Sequence, residues 1–136
     1  MKISTKGRYA LRMMIDIAEN QDKGYVALKD IATRQEISKK YLEQIALHLS
    51  QCGMLRAVRG YQGGYMLARD AKDYPVSEIL AAVEGTLAPV SCLESPENNC
   101  PRRGFCKTLP LWINLERRIM DYLNSVTLED PEGKKR

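Results

Sequence analysis

LKDIATRQEISKKYLEQIALHLSQCG, residues 28–53, is the stretch that decides the fold. Leu28, Ile31 and Ala32 fall on one side of a short helix over Leu28 to Gln35. Glu36-Ile37-Ser38 reads as a three-residue turn, with Ser38 as N-cap of a second helix running to Cys52. Gly53 offers the left-handed residue that ends it. On this second helix Leu42, Ile45 and Leu49 cluster on one side, and Lys40, Glu43, Gln44, Leu47 and Gln51 on the other. Two helices across so short a turn form a helix-turn-helix, whose second helix lies in a DNA major groove. Gln pairs with adenine, Glu accepts from cytosine N4, and Lys reaches guanine or phosphate, so Lys40, Glu43 and Gln44 are the candidate reading residues. An ordinary amphipathic helix with a wet face has the same wheel, so the flanking sequence has to decide.

On the C-terminal side, Leu55 to Arg59 and Tyr65 to Leu67 read as two short strands. Gly60, Gly63 and Gly64 supply the connecting loop with positions open to positive φ. Arg56, Arg59 and Arg69 flank that loop, and arginine suits a narrow, negative minor groove. A glycine-rich hairpin after a helix-turn-helix is a wing, and Arg56, Arg59 and Gly60 are its candidate DNA contacts. His48, the one histidine, lies at the edge of the wet face, where a phosphate or base contact is open to it but a plain surface role is the expectation, and Cys52 reads as a small buried hydrophobe on the inner side.

Further out, Thr5 to Asn20 predicts a helix capped by Ser4 or Thr5, with Ala10, Leu11, Met14, Ile17 and Ala18 inward. Val76 to Glu84 predicts another, closed by Gly85. A last helix fits Leu109 to Val126, capped by Thr108. Its Trp112, Leu115, Ile119, Tyr122 and Val126 follow a 3-4-3-4 spacing, the seam of a helix that packs on another helix, here taken as the dimerisation seam. The expected fold is mainly α with a small β-hairpin wing: a winged helix-turn-helix plus a long C-terminal dimerisation helix. The expected divisions are a DNA-binding unit over 1–75, a linking helix and cysteine-rich loop over 76–107, the dimerisation helix over 108–130 and a polar tail over 131–136.

Composition agrees. The chain has 136 residues, 44% of them hydrophobic, enough for one real core. Residues 1–75 hold 13 Lys/Arg and 8 Asp/Glu, whereas residues 76–136 hold 8 and 9, so the basic excess lies in the first half. Such a bias suits a polyanion partner and also an ordinary solvated surface. The apolar stretch from Ala10 to Ala18 is cut by Arg12 and Asp16, so it makes no signal peptide, and no run is long enough for a membrane span. The expected location is the cytoplasm.

Cys92, Cys100 and Cys106 stand as C-x7-C-x5-C in a stretch, residues 86–107, that has no helical or strand period. In a reducing compartment a disulfide framework is not expected. Free thiols, zinc and an iron–sulfur cluster all accommodate the pattern, although the tight C-x2-C knuckle of structural zinc sites is absent. Arg102, Arg103 and Lys107 favour thiolates. A thiol enzyme or metal carrier is the alternative from another class, but no acid–base constellation surrounds the cysteines, and the expectation is that the chain is not an enzyme. An interaction module with a vestigial helix-turn-helix is a third reading.

MKISTKGRYALRMMIDIA, SKKYLEQIALHL and VRGYQGGYML together resemble one family of bacterial winged-helix regulators. That family includes the iron–sulfur-cluster biogenesis regulator (IscR), the nitric-oxide-sensing repressor and the cysteine-metabolism repressor (CymR). The resemblance extends to about Asp130. It implies a homodimer that acts as repressor or activator, repressor ahead of activator, at a near-palindromic double-stranded DNA operator, with Lys40, Glu43 and Gln44 at the DNA and Arg59 in the minor groove. It also implies an iron–sulfur cluster, 2Fe–2S ahead of 4Fe–4S, on Cys92, Cys100 and Cys106. The usual fourth ligands are missing: Leu109 and Arg8 stand at the two places where relatives carry a histidine or an acidic residue. Glu94, Glu97, the partner subunit, water or a small thiol remain open for that role. Relatives of the cysteine-metabolism type lack these cysteines, so a cluster-free mode, with a partner protein of sulfur metabolism carrying the signal, is the alternative.

Overall fold

Ser4 Oγ accepts a hydrogen bond from the Gly7 amide at 3.0 Å and starts α1 (Thr5–Asn20) in the computed structural model, which describes residues 2–59 and 63–134. The helix buries Ala10, Met13, Met14 and Ile17 completely, along one stripe of helical period. Leu11 and Ala18, expected on that stripe, lie at its half-buried margin.

α2 (Leu28–Gln35) and α3 (Lys39–Gln51) follow the predicted bounds to within a residue. Between them Glu36 takes a left-handed φ of 56°, which reverses the chain and drops Ile37 into the core. Ser38 Oγ accepts from the Tyr41 amide at 3.1 Å, the expected cap. Gly53 at φ 75° ends α3 and turns the chain inward at Met54, whose amide donates to the Leu49 carbonyl at 2.9 Å. Because the inward turn occurs there, Cys52 is exposed, and the expectation that it is a buried hydrophobe does not hold.

β1 (Leu55–Val58) and β2 (Gly64–Leu67) pair antiparallel, with Leu55 opposite Leu67 and Val58 opposite Gly64. Val26 adds a short third rung: its amide and carbonyl exchange hydrogen bonds with Tyr65 at 2.8 and 2.9 Å. That rung explains Gly64 differently from the sequence reading. Gly64 does not take a left-handed φ; a Cβ there would stand 2.3 Å from the Val26 carbonyl oxygen, so close backbone approach demands the glycine. Tyr74, fully buried below the hairpin, donates its hydroxyl to the Met54 carbonyl at 2.7 Å and accepts from the Ala68 and Arg69 amides.

α4 (Val76–Glu84) lies against α1, and residues 86–107 contain no α-helix or β-strand, but a 3-10 turn at Ser91–Leu93, bends, and hydrogen-bonded turns over residues 101–105. α5 (Leu109–Ser125) starts without the expected side-chain cap: Thr108 is in a helical conformation and its hydroxyl turns toward Cys106. α5 ends one residue before Val126, which is not on its seam. Val126 is 4% exposed, packs with Val76, Leu80 and Leu87, and accepts the Val76 amide through its carbonyl at 2.8 Å. The chain turns extended there to run beside the start of α4, so Val126 belongs to the protomer's own core. Among the described residues no helix is long and apolar enough to cross a membrane.

Candidate nucleic-acid interface and cysteine loop

α3 is held from beneath by Leu42, Ile45, Ala46 and Leu49, all fully buried. That burial fixes its rotation and leaves Lys40, Glu43, Gln44, Leu47 and Gln51 exposed on one continuous face. The helix before it is anchored by a buried carboxylate. Asp16 on α1 accepts Arg34 Nη2 at 2.7 Å, Arg34 Nε at 3.0 Å and Gln35 Nε2 at 2.9 Å. Arg12 on α1 donates to the side chain and the carbonyl of Gln35. The C-terminal turn of α2 is therefore held in place by two residues of α1, which sets the angle at which α3 leaves the turn.

Arg59 stands exposed just past the end of β1. Arg56 is also exposed and reaches Met66 Sδ at 3.5 Å across the hairpin. Gly60, the third expected wing contact, lies outside the described residues. Arg69 does not join them. Its guanidinium pairs with Glu78 at 2.8 Å and lies 4.2 Å over the Tyr74 ring, and the Glu78 hydrogen bond holds its pKa above the ordinary value. It braces the exit of the hairpin on α4.

His48 has a role that neither a DNA contact nor a plain surface residue describes. Its Nε2 lies 2.8 Å from the carbonyl oxygen of Ala82, so α3 is tied to the last turn of α4. Glu84, two residues further, accepts both the amide and the hydroxyl of Ser4 at 2.9 and 2.6 Å. Both ties reach across more than thirty residues of sequence, and no local pattern signals them.

The helix α4 leads directly into the cysteine loop. Cys92 and Cys100 line one pocket together with Ser91, Ser95, Glu97 and Asn99. Glu94, the other carboxylate of this stretch, does not line it. Cys106 is elsewhere, just before α5, with Sγ 3.3 Å from Thr108 Oγ1. The Thr108 hydroxyl, then the amides of Thr108 and Leu109 and the charge of Arg102, pull this thiol below its ordinary range. Among the described residues no three His, Cys, Asp or Glu side chains are grouped as a metal ion requires.

On α5 no residue is fully buried, and Leu111, Leu115 and Tyr122 are 56%, 39% and 50% exposed along one face. Trp112 and Ile119, also expected on the seam, are half-buried beside them.

The chain matches the family described as Rrf2, iron-dependent transcriptional regulator, over residues 3–131. It belongs to the Rrf2 family. Among Rrf2 relatives, protein rrf2 of Nitratidesulfovibrio vulgaris is 42% identical over 131 residues, covering 96% of this chain and 86% of that protein. The structure of CymR, the global cysteine regulator of B. subtilis, superposes with a TM-score of 0.78 at 35% identity, covering 96% of this chain and 95% of that one. IscR of T. potens superposes with a TM-score of 0.78 at 36% identity, covering 100% of this chain and 89% of that one. The Rrf2 fold is a winged helix, and among the described residues this chain forms five α-helices with a two-stranded antiparallel hairpin. The Rrf2 chain is thus a DNA-binding transcription regulator and not an enzyme.

Proposed function

We propose that this Rrf2 protein is a cytoplasmic homodimer that binds a near-palindromic operator and represses transcription, and that an iron–sulfur cluster in the cysteine loop sets its affinity. The observation that carries the DNA-binding part is the exposed face of α3, where Lys40, Glu43 and Gln44 stand together, with Arg56 and Arg59 on the adjoining wing. Two such helices, related by the dimer axis, enter successive major grooves, while the wings reach the minor grooves.

The dimer rests on α5. A helix of 17 residues with none fully buried, and with Leu111, Leu115 and Tyr122 open along one side, needs a second helix to cover it. Leu115→Glu would place a charge in that interface, and sedimentation should then show monomer where the unaltered chain shows dimer. A dimer that survives both this change and Tyr122→Glu would place the interface elsewhere.

The donor set of the loop fits an iron–sulfur cluster in its chemistry. Three soft thiols lie within one irregular segment, two of them on a shared pocket and the third drawn toward its thiolate. Cys92, Cys100 and Cys106 would hold the cluster, and Glu97 is favoured over Glu94 as a fourth ligand because it lines the pocket of Cys92 and Cys100. When bound, the cluster would supply an iron centre sensitive to oxidation and to nitric oxide. The residues around it act mechanically: α4 joins the loop to α3 through His48 and to α1 through Glu84, so a change in the loop reaches the operator-reading surface.

The test is the iron and acid-labile sulfide content, with a visible spectrum, of protein purified without oxygen. Iron and sulfide at two or four per subunit, lost in Cys92→Ala, support the cluster. A colourless, iron-free protein that still binds its operator supports the second reading, a cluster-free regulator of sulfur metabolism that works with a partner protein. That reading is favoured by the separation of Cys106 from the other two thiols and by the likeness to a global cysteine regulator.

A further inference from the structure

Leu47 is the one large apolar side chain on the exposed face of the recognition helix, and at 59% it is among the most exposed large hydrophobic residues of the described chain. It follows Glu43 by four positions and Gln44 by three, and precedes Gln51 by four, so all of them share its face. At 3.6 residues per turn it lies roughly 160° around the helix from Leu49, the buried centre of the opposite side. Leu47 is therefore in the middle of the operator-facing surface and plays no part in the core beneath it.

An aliphatic side chain at that place gains nothing from burial in the free protein, because it keeps its apolar surface in water. It also offers no hydrogen bond to a base edge or a phosphate. A major groove presents a single apolar group to which it can dock, the C5-methyl of thymine. The polar neighbours strengthen this assignment: Glu43 and Gln44 select hydrogen-bonding edges on one side, and Gln51 does so on the other. We infer that Leu47 is a specificity-determining residue that reads a thymine methyl group in each operator half-site. The inference rests on the operator-binding function and adds a base preference that the polar residues alone do not supply.

The test uses the full chain and an operator that it selects from a random duplex library. Each thymine is replaced in turn by deoxyuridine, which removes the methyl group and leaves the hydrogen-bonding edge unchanged. The unaltered chain should lose about fourfold in affinity for each critical methyl removed, the factor that burial of one methyl group supplies. Leu47→Ala should bind the thymine operator about as weakly as the unaltered chain binds the deoxyuridine one, and should not distinguish the two. Leu47→Met, which keeps an apolar tip, should retain the distinction. Equal binding of thymine and deoxyuridine operators by the unaltered chain would overturn the inference, as would full methyl sensitivity in Leu47→Ala. Failure to select any operator would overturn the DNA-binding reading itself, and this inference with it.

Discussion

His48 Nε2 on α3 donates to the carbonyl oxygen of Ala82 on α4 across 2.8 Å. A carbonyl can only accept, so the ring carries its proton on Nε2 in this contact. The bond satisfies a carbonyl near the C-terminal end of α4, where helical partners run out. It also places the recognition helix in direct register with the helix that enters the cysteine loop.

His48→Ala should cost about 1 kcal/mol of stability, the net worth of one such hydrogen bond. A melting curve should fall by about 3–5 °C. The more telling measurement is coupling. If His48 carries the loop's state to α3, then Cys92→Ala should change operator affinity less in the His48→Ala background than in the unaltered chain. Equal effects in both backgrounds would show that the signal travels by another route.

The pair Asp16 and Arg34 predicts an asymmetry. Asp16 is 3% exposed, whereas the Arg34 side chain is 40% exposed. Arg34→Ala strands a buried carboxylate with only Gln35 and Asn20 beside it and should cost about 3 kcal/mol. Asp16→Asn leaves an arginine that can turn to water and keeps a polar partner, so it should cost about 1–2 kcal/mol. Urea unfolding of both variants gives the ranking directly, and the reverse order would mean that Asp16 is better solvated than its burial indicates.

Gly64→Ala tests the wing without touching its arginines. A methyl group 2.3 Å from the Val26 carbonyl oxygen must push the backbones apart, because both are main chain and neither can rotate away. The expected loss is about 1–3 kcal/mol, with weaker operator binding as the hairpin leaves its seat. Thermal unfolding and a binding titration check both parts.

Arg59→Ala should leave stability unchanged, since the side chain is exposed at the end of β1. Operator affinity should fall, and the slope of log affinity against log salt should become shallower by about one counterion per wing. An unchanged slope would place Arg59 away from the phosphates.

The Cys106 thiol should be more reactive than an ordinary cysteine at neutral pH, because Thr108, the amides at the start of α5 and Arg102 all favour its thiolate. A rate–pH profile of iodoacetamide alkylation, with the other cysteines replaced by serine, should show a midpoint below the ordinary thiol value. Thr108→Val removes the first of those causes and should move the midpoint upward. No movement would assign the shift to the helix amides and Arg102.

Where an element is specified by its own residues, the sequence by itself determined it. The caps Ser4 and Ser38, the apolar periods of α1, α2 and α4, and the turning glycine Gly53 are local, and the observed bounds follow them. The exposed face of α3 was legible for the same reason, since a period of 3.6 residues separates Glu43 and Gln44 from Leu42 and Ile45. Periodicity says which way a side chain points and is silent about what it meets there. Only the tertiary structure joined His48 to Ala82, Arg69 to Glu78 and Ser4 to Glu84. It also turned Val126 inward and Cys52 outward, because each stands just past the end of a helix, where the chain leaves the helical period and its next partner decides its direction. The cysteine loop is the extreme case: with no period of its own, the pocket that Cys92 and Cys100 share and the place of Cys106 outside it depend on the path of residues 86–107 from α4 to α5.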